Sequence, residues 1–249
     1  MRWIQVLMAI VAVVASTPAL AVTFVVNTTN DTVPVGTEVT LRQAMLDAVI
    51  GDVITFDATA FPTPAPGAVP TGKIVLALGP LPTLLGGIAI DGDQRVIVDG
   101  TNTAVGTVGL VVTGNGAAIN GVMIQHFDGA GMLVVGNTNL IGVTGGNTVV
   151  DCGGSGIVIR SAGGNSTANL LQNNKIGRDP ASTIRGNCTN PAGACAGIVV
   201  TRIAGAGPNL NVVQSNEIVD TQGSPTLSRG IGILVTHGAD NVLSNNDIG

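Results

Sequence analysis

The chain has 249 residues, of which 45% are hydrophobic and only 10% are charged, and its formal net charge is -5. This hydrophobic fraction supports a buried core and argues against disorder. Lys and Arg together number 10, which excludes a basic nucleic-acid-binding surface. The composition describes a weakly charged β protein rich in small residues.

Residues 1–21 have the pattern of an export signal. Arg2 precedes an apolar run over residues 4–15, and Ala19 and Ala21 fit the small-x-small pattern of a cleavage site. The run is too short to span a bilayer comfortably, and the alternative interpretation is a buried helix or an anchor. We expect cleavage after Ala21 and a secreted or cell-surface protein. The mature chain would contain no Trp and no Tyr, and no membrane span.

One amphipathic helix is predicted after this signal. Thr40 and Gln43 have the spacing of a capping box, with Thr40 as the N-cap. Gly51 suits the C-terminal end of a helix of about ten residues. The apolar stripe of this helix, at positions i, i+3, i+4 and i+7, consists of Leu41, Ala44, Met45 and Ala48.

Strand-like runs follow the helix, over residues 53–56, 74–76, 88–90 and 96–98. The last two are followed by Asp91-Gly92 and Asp99-Gly100, so Asp91 and Asp99 are predicted to be turn residues. Residues 61–70 contain four Pro and are predicted to form an extended loop.

From residue 109 the chain repeats itself. A Gly followed by three apolar residues recurs, at Gly109, Gly131, Gly156, Gly197 and Gly232. A second motif begins with Asn and ends with Asn-x-Ile, over residues 169–176, 211–218 and 241–248, with a looser copy at Asn147. Strand-sized units with periods of about 20 to 50 residues indicate a solenoid, because one unit cannot bury its apolar side alone.

Strand parity assigns the side chains of the second motif to two faces. If the terminal Ile of each copy points inward, so do Asn174, Asn216 and Asn246, which can stack as an amide ladder with Asn147. The positions between them are expected to face outward: Thr148, Lys175, Glu217 and Asp247. Lys175 and Glu217 would be an exposed ion pair worth less than about 1 kcal/mol.

These repeats resemble those of right-handed parallel β-helix proteins of the pectate-lyase-like superfamily. The five Gly-started runs and the Asn-x-Ile endings carry the resemblance. The N-terminal part of the chain resembles the N-terminal cap of secreted bacterial β-helix proteins that carry a Cys-Ser-Leu-Arg-Glu-Ala-Ile motif. This resemblance is carried by residues 41–45, 54–57, 74–76, 81–82 and 90–92. Val39 stands where that motif has its Cys.

The resemblance implies an all-β fold, a right-handed parallel β-helix (solenoid) with one short N-terminal capping helix. We expect residues 22–108 to form the cap and first coils, and residues 109–249 the β-helix repeats. The sequence stops inside a repeat unit, so we expect a truncated C-terminus; the alternative is an edge that pairs with another molecule.

The three cysteines allow one short loop. Export permits disulfides, and a bond between Cys188 and Cys195 would be worth about 2.5 kcal/mol in the chain-entropy model. Cys152 would then be a buried small hydrophobic residue, unless it pairs with one of the other two. A catalytic thiol at Cys152 is disfavoured, because no motif ties it to His126 or His237.

Glycan lyases and hydrolases on this fold generally use stacked carboxylates and an Arg or Lys base, often with calcium. The catalytic candidates under this enzyme hypothesis are Asp128, Asp151 and Arg160. Two registers stay open: Asp128 aligned with Asp151, or His126 aligned with Asp151.

A second column of charged residues is predicted four residues after each corner Asn. It consists of Asp151, Arg178 and Asp220, and its alternating charges favour a structural salt-bridge ladder over a catalytic site.

Two function classes follow from these observations. The favoured one is a secreted or cell-surface structural, adhesive or passenger-type module that contacts an extracellular glycan or protein and needs no cofactor. The alternative is a polysaccharide lyase or glycoside hydrolase that acts on an acidic glycan, in which calcium could take part. The lack of Trp and Tyr counts against a high-affinity sugar groove. The oligomeric state stays open.

Overall fold

The computed structural model describes residues 20–162, 166–190, 195–204, 207–219 and 230–249. Most of the predicted export signal and Asp220 lie outside these described residues. Within them, no helix is long and apolar enough to cross a membrane.

The described residues form one helix and many short strands. In chain order these are Thr23–Val26 (β1), Leu41–Asp47 (α1), Val53–Phe56 (β2), Gly72–Val75 (β3), Ala89–Asp99 (β4), Leu110–Val112 (β5), Ala118–Gln125 (β6), Met132–Val134 (β7), Leu140–Ile141 (β8), Thr148–Val150 (β9), Ile157–Ala162 (β10), Leu170–Gln172 (β11), Lys175–Ile176 (β12), Ile198–Ala204 (β13), Val212–Gln214 (β14), Glu217–Ile218 (β15), Ile233–Val235 (β16), Val242–Ser244 (β17) and Asp247–Ile248 (β18).

The strands wind as a right-handed parallel β-helix. The five Gly-started runs form one parallel sheet in the order β16-β13-β10-β7-β5. The larger sheet forks at β6, which pairs with β8 through its first residues and with β9 through its last. One arm continues as β8-β11-β14-β17 and the other as β9-β12-β15-β18. Each later coil therefore contributes one strand to the five-stranded sheet and one to each arm.

Aliphatic side chains superpose along the axis of this tube. Ile157 pairs in register with Ile198, and Ile198 with Ile233. Ile157 and Ile198 are completely buried, and they belong to one continuous core cluster that runs from the first strand through the repeats. The predicted stacking of the repeats is confirmed.

Two ladders of Asn side chains, buried except at the last residue of each, join the coils at the corners. Asn147 Nδ2 donates to Asn174 Oδ1 at 3.0 Å, Asn174 to Asn216 at 2.9 Å, and Asn216 to Asn246 at 2.9 Å. This is the predicted ladder. A second ladder, which the sequence analysis did not identify, joins Asn139 to Asn169, Asn211 and Asn241, the first residues of the three copies of the second motif.

The helix α1 lies over the first coil, and its buried side chains are Leu41, Ala44 and Met45. Thr40 is the N-cap, since its side chain accepts from the Gln43 N–H at 3.1 Å. The reciprocal half of the capping box does not form, because the Gln43 side chain donates to Asp47 instead. The helix ends at Asp47, earlier than predicted, because Ala48 is already extended.

The strands around Asp91 differ from the prediction. The two predicted runs, 88–90 and 96–98, merge into a single strand, β4, which begins at Ala89 and has an irregularity between Asp91 and Val96. Asp93 and Gln94 have left-handed backbone conformations, with φ of 45° and 58°. The predicted turn is therefore a bulge that bends one strand around a corner of the coil.

Two loops cover the outer face that β4, β6 and β9 form together. Ile97, Met123 and Val150 point outward and pack against Val69 of the proline-rich loop in a small satellite cluster. Thr148 was expected to be exposed on this face, but it is only 2% exposed. The second loop, residues 177–187, folds back through an antiparallel bridge between Arg178 and Ile184.

Cys188 and Cys195 form a disulfide, which is the pairing that the sequence favours. Cys152 is a free, buried thiol.

Candidate functional site

A charged cluster lies at the outer edge of three successive coils, where β4, β6 and β9 end. We call it the His126 cluster and define it as Lys73, Asp99, His126, Asp151 and Arg185. His126 Nδ1 lies 3.2 Å from Asp99 Oδ2, and His126 Nε2 lies 3.4 Å from Asp151 Oδ2. The imidazole therefore stands between carboxylates of the coils before and after its own.

Strand register brings His126 and Asp151 together. Gln125, the last residue of β6, pairs with Val150, the last residue of β9. His126 directly follows β6, and Asp151 directly follows β9. Both have left-handed backbone conformations, with φ of 59° and 50°. The same turn geometry on adjacent coils stacks the two side chains. Of the two registers that the sequence left open, this is the one that the chain adopts.

Asp99 is the buried anchor of the cluster, with a side chain that is 1% exposed. Its Oδ1 accepts from the backbone N–H of Thr101 at 2.9 Å, so it does serve the predicted turn. Its Oδ2 accepts from Gln125 Nε2 at 2.8 Å and lies 3.4 Å from Lys73 Nζ. The prediction of a turn did not include the contacts of Oδ2, which faces His126.

The Asp99 carboxyl group is ionised near neutral pH. Burial alone would raise its pKa, but hydrogen bonds from Thr101, Gln125 and His126 outweigh burial and hold the pKa well below its usual value. An ionised carboxylate can only accept hydrogen bonds. In the tautomer that fits Asp99, the neutral His126 ring carries its proton on Nδ1, donates to Asp99 Oδ2 and presents Nε2 as its unprotonated nitrogen.

Arg185 reaches the cluster from the 177–187 loop. The backbone N–H of Arg185 donates to Gly177 O at 2.8 Å, and its backbone carbonyl accepts from the Asp151 N–H at 3.2 Å. This docking places Arg185 Nε 2.7 Å from Asp151 Oδ2 and Nη2 3.3 Å from His126 Nε2. The far side of the guanidinium lies 4.0 Å from Asp179.

The His126 cluster is open to solvent on one side. The side chain of His126 is 39% exposed, whereas Asp99 behind it is buried.

The structure does not bring the three sequence-predicted catalytic residues together. Asp151 belongs to the His126 cluster. Asp128 instead holds a loop, because its carboxylate accepts from Gly106 N at 2.6 Å and from Asn190 Nδ2 at 3.1 Å. Arg160 lies on the five-stranded sheet, where it pairs in register with Thr201. The cation beside Asp151 is Arg185, which the sequence analysis did not select.

The two predicted ion-pair columns also differ from the structure. Lys175 and Glu217 are neighbours in register, but Glu217 Oε1 lies 2.9 Å from Arg178 Nε, as an ion pair without directed hydrogen-bond geometry. Arg178 is thus engaged by Glu217 rather than by Asp151. Asp220, the third residue of the charged column, lies outside the described residues.

Neither a metal cluster nor a reactive thiol is evident in the described ranges. No three His, Cys, Asp or Glu side chains there are grouped so that they could hold a metal ion. Burial raises the pKa of the Cys152 thiol to about 12, so the thiolate nucleophile is absent near neutral pH.

Comparison with known proteins supports the fold. No protein-family model and no curated protein matches the sequence. Among solved structures, the chain is similar to pectate lyase Pel9A, with a TM-score of 0.51 and 14% identity over 91% of this chain and 62% of that one. It is also similar to a rhamnogalacturonan lyase, with a TM-score of 0.42 and 13% identity over 81% of this chain and 57% of that one. The chain thus spans less than two thirds of either structure, and the likeness shows a pectate-lyase-like parallel β-helix fold.

Proposed function

We propose that this chain is an extracellular β-helix protein that acts on an acidic polysaccharide, with the His126 cluster as its reacting site. The observation that carries the proposal is the half-exposed ring of His126, whose Nε2 lies 3.3 Å from the Arg185 guanidinium. Behind it, Asp99 fixes the ring through Nδ1. A pectate lyase with the same fold is known among its structural neighbours.

The cluster suits β-elimination in a uronate chain. His126 Nε2 would take the proton from the carbon beside the uronate carboxylate. The electron pair left on that carbon forms a double bond to the next ring carbon, as the bond from that carbon to the glycosidic oxygen breaks. The departing oxygen takes a proton from water. Arg185 and Lys73 supply positive charge for the substrate carboxylate, whose charge grows during proton removal.

Hydrolysis by a pair of carboxyl groups fits the cluster less well. Such a reaction needs one protonated carboxyl group as a general acid. Asp99 cannot supply it near neutral pH, because its pKa lies well below its usual value. Asp151 is held by the Arg185 guanidinium, with Nε at 2.7 Å. We therefore favour a lyase over a glycoside hydrolase.

A second candidate is a secreted or cell-surface module without turnover. The observation that favours it is the pairing of charges: Asp99 contacts Lys73, and Asp151 contacts Arg185. In this hypothesis the His126 cluster only ties coils together.

Incubation with polygalacturonate, alginate and glucuronan, with and without calcium, separates the two candidates. A lyase forms an unsaturated uronate that absorbs in the ultraviolet. We expect such a product from one of these polymers, and a loss of rate of at least about 100-fold in His126→Gln. His237→Gln is the matched control, because His237 lies elsewhere and contacts Thr236. Absence of product from every polymer would support the module, and full activity of His126→Gln would exclude this site.

A further inference from the structure

A separate cleft lies beneath the proline-rich loop. We call it the proline-loop cleft. It has a volume of about 390 Å³, in the range of ligand pockets. Residues 63–68 form its roof, Thr148 and Lys175 contribute to its floor, and Pro180 lies at one side.

The roof of the cleft is fixed at both ends. Phe61 is fully buried and packs edge-on against Phe56, with ring centroids 5.0 Å apart. After the roof, Val69 packs on the satellite cluster of Ile97, Met123 and Val150. Pro64 and Pro66 restrict the backbone between these anchors. The cleft is therefore preformed, and a ligand would not have to order the loop on binding.

The uncompensated charge in this cleft is positive. Among the described residues Lys175 forms no ion pair, because Arg178 occupies Glu217, the carboxylate opposite Lys175 in register. The acidic residue of the lining, Asp93, is neutralised by Arg95 at 2.6 Å. An ammonium group without a partner in a concave site favours an anion.

The remaining polar groups of the cleft suit a ligand with hydroxyl groups. Thr148 offers a hydroxyl, and Asn173 offers its Oδ1, since its Nδ2 donates to Val143 O at 3.4 Å. Gln94 Nε2 donates to Gly146 O, which leaves its Oε1 as an acceptor. None of the lining residues is aromatic.

We propose that the proline-loop cleft binds one carboxylated sugar residue, with Lys175 on its carboxylate. This site is distinct from the His126 cluster and does not depend on catalysis there. The sugar can be a free uronic acid or one residue of a uronate chain, since both present the same carboxylate and hydroxyl groups.

Titration calorimetry and NMR chemical-shift mapping test this with D-glucuronate, D-glucose and acetate as probes. We expect glucuronate to shift the resonances of Thr148 and Gln94, and to bind at least about tenfold more tightly than either glucose or acetate. An oligoglucuronate probes the chain source; tighter binding than the monosaccharide assigns the cleft to a polymer, and equal binding assigns it to the free acid or a single residue. Equal affinity for acetate and glucuronate would overturn the proposal, and so would a lack of binding.

The ion pair between Arg178 and Glu217 gives a matched set of variants. Lys175→Met should weaken glucuronate binding at least about tenfold, and Glu217→Gln should leave it unchanged. Arg178→Gln should also weaken binding, because it frees Glu217 to pair with Lys175. The double variant Arg178→Gln with Glu217→Gln should restore it. Unchanged binding in Lys175→Met, or no rescue by the double variant, would refute the role of Lys175; thermal unfolding checks that each variant is folded.

Discussion

Replacement of Asn174 by Ala removes the second rung of the corner ladder. Asn174 is completely buried. Its Oδ1 accepts from Asn147 N at 3.2 Å and Asn147 Nδ2 at 3.0 Å, and its Nδ2 donates to Ile141 O at 3.0 Å and Asn216 Oδ1 at 2.9 Å. Each hydrogen bond contributes about 1 kcal/mol, so we expect the free energy of unfolding to fall by about 4 kcal/mol.

Urea unfolding followed by circular dichroism measures this loss. Asn30→Ala is the control, because Asn30 is exposed and its only side-chain hydrogen bond among the described residues, to Glu38, is 3.4 Å long. A surface change of this kind stays within about 0.5 kcal/mol. A loss below about 1 kcal/mol in Asn174→Ala, at an unchanged denaturant slope, would refute the stabilising role of the ladder.

Three further predictions concern Asp99, the disulfide and Cys152. The pKa of Asp99 in the folded protein lies below its ordinary value of 3.8. The ionised carboxylate therefore contributes its full stabilisation above pH 3.8, and this stabilisation is lost as the pH falls toward the folded-state pKa. Asp99→Asn should therefore cost about 2 kcal/mol at pH 7 and flatten the acid limb of the stability curve; an unchanged acid limb would contradict the assignment. Replacement of Cys188 and Cys195 by Ser should cost about 2.5 kcal/mol in urea unfolding. Alkylation of the intact native protein should label no thiol, because Cys152 is buried, and rapid labelling would contradict that burial.

The stacking of the repeats was predictable from the sequence, because every coil uses the same strand motifs. Ile157, Ile198 and Ile233 occupy one place in that motif, and strand parity then sends Asn174 inward. The second ladder had an equally clear signal, since Asn169 and Asn211 begin the same motif. The parity argument did not reveal the second ladder. It started from the terminal Ile of each motif, and Asn169 and Asn211 lie before the strands that it covered.

The His126 cluster was only partly predictable. The alignment of His126 with Asp151 was one of two possible registers, and the pairing of β6 with β9 decides between them. Arg185 lies in the 177–187 loop, outside both repeated motifs, so repeat alignment cannot place it. Asp99 was assigned to a turn because Gly100 follows it. The Asp-Gly pattern gives no indication that the Asp99 carboxylate also contacts His126.

Exposure was the least predictable property. Thr148 faces outward as parity requires, yet a loop from far earlier in the chain covers its face of the β9 arm. Lys175 and Glu217 meet in register as expected. The expected ion pair between Lys175 and Glu217 does not form, because Glu217 pairs instead with Arg178, which directly follows Gly177.

The tautomer of His126 tests the central claim most directly. Long-range ¹H–¹⁵N NMR on the His237→Gln variant observes His126 alone, because the chain has 2 His. The neutral ring should carry its proton on Nδ1, toward Asp99, and leave Nε2 unprotonated beside Arg185. A proton on Nε2 in the neutral ring would contradict the proposed base and the site built around it.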